Sequence, residues 1–134
     1  IAAHGTDPSI AVWGAEPSAV DDASRSLRSG VRVSDGNTTS IADGLLATLS
    51  DRTFAILRDH GVEVVTVTEA EIVEAMALVF TRLKQVAEPS AATALAGLLA
   101  VAAAGASLPD DVGVILSGGN VDLDRLPFDR VGAP

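Results

Sequence analysis

The sequence predicts an α/β fold: part of a three-layer α/β/α domain, with a parallel sheet between helices. Three observations predict it. Strand-like runs at residues 10–13, 62–67 and 112–116 are separated by helix-like stretches, which implies parallel strands joined by right-handed crossovers. The last run holds Val112, Val114, Ile115 and Leu116, nearly continuous apolar character of the kind found in a strand buried on both faces. Hydrophobic residues make up 48% of the chain and aromatics only 3%, so the core is built from Ala, Val, Leu and Ile. Three strands leave two open edges and a thin core, so the chain is expected to expose apolar sheet edges and to associate.

In order, residues 1–5 read as the last turn of a helix stopped by Gly5, and Pro8-Ser9 as a turn into the first strand. Glu16-Pro17 follows that strand. Ser18 and Asp21 have the spacing of a capping box, opening a helix that runs to about Ser29 and stops at Gly30. Residues 31–33 are extended, Asp35-Gly36 marks a turn in a polar loop, and residues 40–47 form a loop or brief helix broken by Gly44. Ser50 caps a helix ended by Gly61, and β-branched residues 62–67 form the second strand. Thr68 and Glu71 make a second capping box. They open a helix with Ile72, Met76, Val79, Phe80 and Leu83 on one face, ended by Pro89. Ser90 caps an apolar helix reaching about Ala104. Residues 108–111 turn into the third strand, which Gly118-Gly119-Asn120 breaks.

A net charge of −9 with no basic cluster argues against nucleic acid or an anionic membrane as partner. The absence of Cys excludes disulfides, thiolate catalysis and cysteine-ligated zinc. The first residue is Ile, with no charged segment ahead of an apolar one. This is no secretory signal, and the sequence is expected to start inside a longer protein. The uncharged run 89–109 is Ala-rich and bounded by prolines, which suits a buried core helix better than a bilayer span.

Few residues suggest chemistry. Ser117 at the end of the third strand, followed by two glycines, lets a hydroxyl and bare backbone approach a flat ligand beyond the strand ends. Taken alone, an ordinary turn is the preferred reading. Glu16, Asp21 and Asp22 flank a strand-to-helix turn. They suit either the helix N-terminus or, for Glu16 and Asp22, an oxygen-rich Mg²⁺ or Ca²⁺ site, and spacing alone favours the cap. Glu88, between two apolar helices, is either exposed in a turn or half-buried with a raised pKa. His4 and His60 read as structural or solvated, and the only lysine, Lys84, as a snorkelling helix residue. Nucleophile-elbow, Walker and dinucleotide-binding motifs are absent.

Five motifs in order carry a resemblance: Gly14-Ala15-Glu16-Pro17 with Asp21-Asp22, Ile41-Ala42-Asp43-Gly44-Leu45, Val65-Thr66-Val67-Thr68-Glu69 with Glu71-Ile72, Glu88-Pro89-Ser90, and Leu116-Ser117-Gly118-Gly119-Asn120-Val121-Asp122. Together they resemble the C-terminal part of threonine/serine dehydratases and the similar serine racemases, pyridoxal-phosphate enzymes of fold type II. The resemblance implies the C-terminal portion of the large domain of such an enzyme. Ser117 is then the hydrogen-bond partner of the pyridine nitrogen, with Gly118, Gly119, Gly44 and Glu88 around the ring. Glu16, Asp22 and the Val20 carbonyl match a divalent-cation site, Mg²⁺ or Ca²⁺.

The Schiff-base lysine and the glycine-rich phosphate loop belong to an N-terminal segment outside this sequence, so the resemblance assigns no catalytic residue here and implies that the chain alone is inactive. Ala91 stands where glycine is usual. With no regulatory domain after Pro134, the short catabolic type is expected. What is implied is a cytoplasmic homo-oligomer acting on threonine or serine, with the missing N-terminal segment as a necessary partner. Serine racemase or hydroxyaspartate dehydratase is the alternative within the family. A non-catalytic half-domain that complements a separate N-terminal partner is the alternative outside it.

Overall fold

The computed structural model describes residues 1–34 and 39–128; the Asp35-Gly36 turn lies outside them. Its sheet is built from β1 (Trp13–Pro17) and β2 (Glu63–Val67), which pair in parallel with Ala15 opposite Val65 and Glu16 opposite Thr66. Five α-helices are described: α1 (Ala2–Thr6), α2 (Asp22–Ser29), α3 (Asp51–Asp59), α4 (Glu69–Leu78) and α5 (Pro89–Ala103).

Strand parity sets the layers, because successive side chains point to opposite faces. Ala15 and Val65 face α5, where a Cβ at Gly97 would lie 2.6 Å from the Ala15 Cβ and 3.1 Å from Val65 Cγ2. Glu16 and Val64 serve the other side: the Glu16 carboxylate reaches the start of α2, and Ser24 Oγ donates to the Val64 carbonyl. Helices therefore cover both faces of a parallel sheet, as the alternating pattern predicts. The core lies between the sheet, α4 and α5, where Ala42, Val67, Ile72, Ala75, Met76, Ala92 and Ala96 are buried together. The small alanines let α5 approach both the sheet and α4.

Several expectations need correction. The first strand spans Trp13–Pro17 rather than residues 10–13, since the register opposite β2 begins at the Trp13–Glu63 pair. The third strand is not part of the sheet among the described residues. Residues 112–116 pair with no strand, and Ile115 is 80% exposed. Apolar character there signals a need for burial, but pairing requires a strand edge alongside, and none of the described residues supplies one.

Beyond α4 the backbone widens into a π-helical turn over Val79–Leu83, closed by Lys84 in the left-handed region (φ 58°). A π-turn carries extra residues per turn and so rotates the residues after it off the helix face. Val79 stays buried, while Phe80 and Leu83 turn outward and Phe80 meets the Phe128 ring. Lys84 is thus a helix-terminating residue rather than one along a helix; its ammonium donates to the Thr81 carbonyl. Pro89 does not end the preceding helix but opens α5 at its first turn, where its missing N–H costs nothing; Glu88, not Ser90, is the N-cap. Among the described residues no helix is long and apolar enough to cross a membrane.

Candidate functional site

Glu88 and the glycine loop, far apart in sequence, meet at the start of α5. The Glu88 N–H donates to the Gly118 carbonyl at 3.1 Å, and its Oε2 accepts from the Asn120 N–H at 3.0 Å. A Cβ at Gly118 would stand 2.7 Å from Glu88 Oε1, and one at Gly119 would stand 2.7 Å from the Val86 carbonyl oxygen. Close approach of backbone therefore requires glycine at 119, while at 118 a side-chain end is the near neighbour. Glu88 is half-buried rather than exposed, and its carboxylate is bonded to the loop.

Gly44 joins this group through Ser90. The Gly44 N–H donates to Ser90 Oγ at 3.0 Å, so the hydroxyl expected to cap α5 instead holds the 3₁₀ turn Asp43–Leu45. From the other side Glu69 fixes the same stretch, accepting from Ser40 Oγ (2.7 Å) and from the Ile41 N–H (3.0 Å). Neither Ser90 nor Glu69 stood out as a site-building residue in the sequence; the adjacency of Ser90 to Glu88-Pro89 was the one signal. Ser117 is exposed, and its hydroxyl has no partner among the described residues. Gly44, Glu88, Gly118 and Gly119 thus share one bonded neighbourhood, with Ser117 next to it in the chain.

Glu16, Val20 and Asp22 gather at the turn between β1 and α2. Their turn is not the capping box that Ser18 and Asp21 suggest. Ser18–Val20 is a 3₁₀ turn, Asp21 makes no cap bond, and it pairs with Arg25 at 2.8 Å instead. The carboxylate that caps α2 is Glu16, from the strand before it. Oε1 accepts from the Ser24 N–H at 2.6 Å and Oε2 from the Ala23 N–H at 3.3 Å. The Glu16 side chain, near the carboxyl end of β1, reaches these orphan amides, whereas Ser18 lies in the 3₁₀ turn and makes no cap bond. Asp22 Oδ2 accepts from the Leu49 N–H at 3.1 Å. Val20 is buried at the end of the 3₁₀ turn.

Burial pushes Glu16 up to about 7, against the lowering effect of its two amide donors; nearby Asp22 and Asp21 push the same way. Glu16 and Asp22 both line an open cleft of about 200 Å³ with Gly14, Gly44 and Leu49. That is smaller than the roughly 300–1,000 Å³ of small-molecule sites, so the cleft suits an ion or waters rather than a whole cofactor. Among the described residues no group of three or more His, Asp and Glu converges on a metal position.

A profile described as "Pyridoxal-phosphate dependent enzyme" matches residues 1–118. The chain belongs to this family. It is 45% identical over 121 residues to the β-hydroxyaspartate dehydratase of Paracoccus denitrificans, covering 90% of this chain and 38% of that protein. It is 44% identical to the serine racemase of Dictyostelium discoideum, covering 94% of this chain and 40% of that one. Among solved structures it matches maize serine racemase with a TM-score of 0.86 at 39% identity, over 92% of this chain and 38% of the other. A threonine deaminase from T.th. matches with a TM-score of 0.78 at 43% identity, over 91% of this chain and 44% of the other. The chain therefore spans about two fifths of the length of the relatives it matches, and the α/β/α arrangement is that of fold-type II pyridoxal-phosphate enzymes.

The loop offers its own test of fit to pyridoxal phosphate. An unpartnered hydroxyl at Ser117 can donate to or accept from a ring nitrogen, and Gly118 and Gly119 carry no side chain that would obstruct a flat ring. These residues fit the ring end of the cofactor. Lys84 bonds to its own turn and makes no hydrogen bond to Gly44, Glu88 or the glycine loop.

Proposed function

We propose that this chain forms the ring-binding part of a threonine/serine dehydratase, which releases ammonia and a 2-oxo acid from L-threonine or L-serine by β-elimination. The observation that carries the reading is the free Ser117 hydroxyl beside a loop bonded to Glu88. Bound pyridoxal phosphate supplies an electron-withdrawing ring that spreads negative charge from the substrate α-carbon. Ser117 holds the pyridine nitrogen through a neutral hydroxyl, which tempers that withdrawal where a carboxylate would favour full protonation. Gly118 and Gly119 admit the ring. Glu88 fixes the loop through Asn120, and Ser90 fixes the backbone of Gly44 on the adjoining side. The lysine that holds the cofactor and moves the α-proton belongs to the remainder of the protein, as does the phosphate cradle.

Glu16 and Asp22, with the Val20 carbonyl, hold a hard divalent cation, Mg²⁺ or Ca²⁺. In support, two buried carboxylates line one small cleft, and among the described residues neither has an ion pair. Water supplies the rest of the roughly six to eight oxygens such ions take. Exposed Val112, Ile115 and Leu116 support association with a further strand-bearing segment and a homo-oligomer.

The test is turnover by the full-length protein with pyridoxal phosphate and L-threonine, L-serine or L-threo-3-hydroxyaspartate, reading 2-oxo acid, ammonia and serine chirality. We expect 2-oxo acid from L-threonine or L-serine, reduced roughly tenfold by Ser117→Ala, the worth of one hydrogen bond to the ring. D-serine without 2-oxo acid would assign a racemase, and activity confined to hydroxyaspartate the corresponding dehydratase. No turnover of any of these would favour a non-catalytic partner domain.

A further inference from the structure

The fold brings together the two histidines of this sequence, which lie 56 positions apart. His4 is in the last turn of α1 and His60 caps the C-terminal end of α3. Their Nδ1 atoms are 3.0 Å apart, and the rings are tilted by 49° with centroids 5.1 Å apart. Both residues are half-buried. A hydrogen bond between two Nδ1 atoms uses one proton: one imidazole donates and the other presents its lone pair. The two nitrogens therefore converge on a common region.

That separation suits two ligands of one metal ion. With metal–nitrogen bonds of about 2.05 Å, nitrogens 3.0 Å apart subtend about 94° at the metal. The angle lies between the values for square-planar and tetrahedral coordination. Imidazole is a donor for zinc, copper and nickel rather than for magnesium or calcium. The dipole at the carboxyl end of α3, where His60 stands, also favours positive charge. A neutral pair loses no net proton on binding, because the shared Nδ1 proton is replaced by one on Nε2 of the same ring.

We propose that His4 and His60 form a two-imidazole site for a borderline divalent transition-metal ion, zinc, nickel or copper, with water in the remaining positions. The ion ties α1 to the end of α3. Its donors are separate from the oxygen set at Glu16 and Asp22, and it rests on neither the cofactor nor the substrate.

Calorimetric titration of the metal-stripped protein with Zn²⁺, in excess Mg²⁺ to occupy oxygen sites, tests this. Expected is one Zn²⁺ per chain, weakened at least about tenfold in both His4→Gln and His60→Gln, the cost of losing even an outer partner of a metal ligand. The Cu²⁺-loaded protein should show electron-spin coupling to two imidazole nitrogens. Absence of Zn²⁺ binding, unchanged binding in either variant, or Cu²⁺ coupling to a single nitrogen overturns the proposal. Should a variant fail to fold, the imidazole NMR signals of the unaltered protein decide. A shared site shifts both histidines together over one equivalent of Zn²⁺, and independent shifts overturn it.

Discussion

Glu88 holds the glycine loop at two points: its N–H donates to the Gly118 carbonyl, and its carboxylate accepts from the Asn120 N–H. The two adjacent glycines should therefore respond differently to a methyl group. In Gly118→Ala the methyl meets the far end of a side chain, which can swing away by releasing Asn120, at a cost of about 1 kcal/mol. In Gly119→Ala it meets the backbone carbonyl of Val86, which cannot swing, at a cost of about 1–3 kcal/mol. Chemical denaturation should rank the two in that order, with faster amide exchange at Asn120 in Gly118→Ala. The reverse order would argue against the Glu88 latch.

Gly97 and Gly5 both lie in helices, yet the same substitution should change stability in opposite directions. A methyl at Gly97 would lie 2.6 Å from the Ala15 Cβ, between α5 and β1, where neither element can yield without separating. Overpacking of about 1–3 kcal/mol outweighs a helix-propensity gain of roughly 1 kcal/mol. At Gly5 nothing lies within 4 Å, so the propensity gain stands alone. Thermal melts should show Gly97→Ala lower and Gly5→Ala unchanged or higher.

How much the sequence revealed depends on the range of the interactions. β2 and the cap at Thr68 were legible because each is local, a β-branched run in one case and a hydroxyl three residues from a carboxylate in the other. The family motifs group Gly44, Glu88 and Gly118; in the structure Glu88 bonds to Gly118, and Gly44 bonds to Ser90, two residues from Glu88. Two local signals misled. Ser18 and Asp21 have cap spacing, but Glu16 reaches the same amides from the preceding strand; Ser90 follows the start of a helix, but Gly44 takes its hydroxyl. Apolar character at residues 112–116 indicates burial without saying which edge provides it. The His4–His60 contact joins the ends of separate helices, and no periodicity encodes it.

Two serine/threonine positions distinguish a working cap from an apparent one. Thr68 Oγ1 accepts from the Glu71 N–H at 3.2 Å, while Glu71 Oε2 accepts from the Thr68 N–H at 2.6 Å, completing the box at the start of α4. Thr68→Ala should cost about 0.5–2 kcal/mol. Ser18 makes no cap bond and is exposed, so Ser18→Ala should fall within about 0.5 kcal/mol of the unaltered protein. Denaturation midpoints of the two variants decide the matter; equal losses would restore the Ser18–Asp21 box.

Glu16 makes stability depend on pH in the unusual direction for a carboxylate. Its pKa is raised from 4.5 to about 7, so between those values the folded protein holds a proton that the unfolded chain has lost. The resulting stabilisation is fully present below pH 4.5 and is lost as pH rises through 7, a change on the order of 3 kcal/mol. In Glu16→Gln this part of the profile should flatten, as read from urea unfolding at intervals from pH 5 to 8. A divalent cation held by Glu16 and Asp22, as proposed, would reverse the balance by binding the ionised pair and offsetting their repulsion. Added Mg²⁺ or Ca²⁺ should therefore stabilise the protein at pH 8 far more than at pH 5, and Glu16→Gln should abolish the difference. Stabilisation equal at both pH values, or retained in the variant, would place the ion elsewhere and leave Glu16 with its capping role alone.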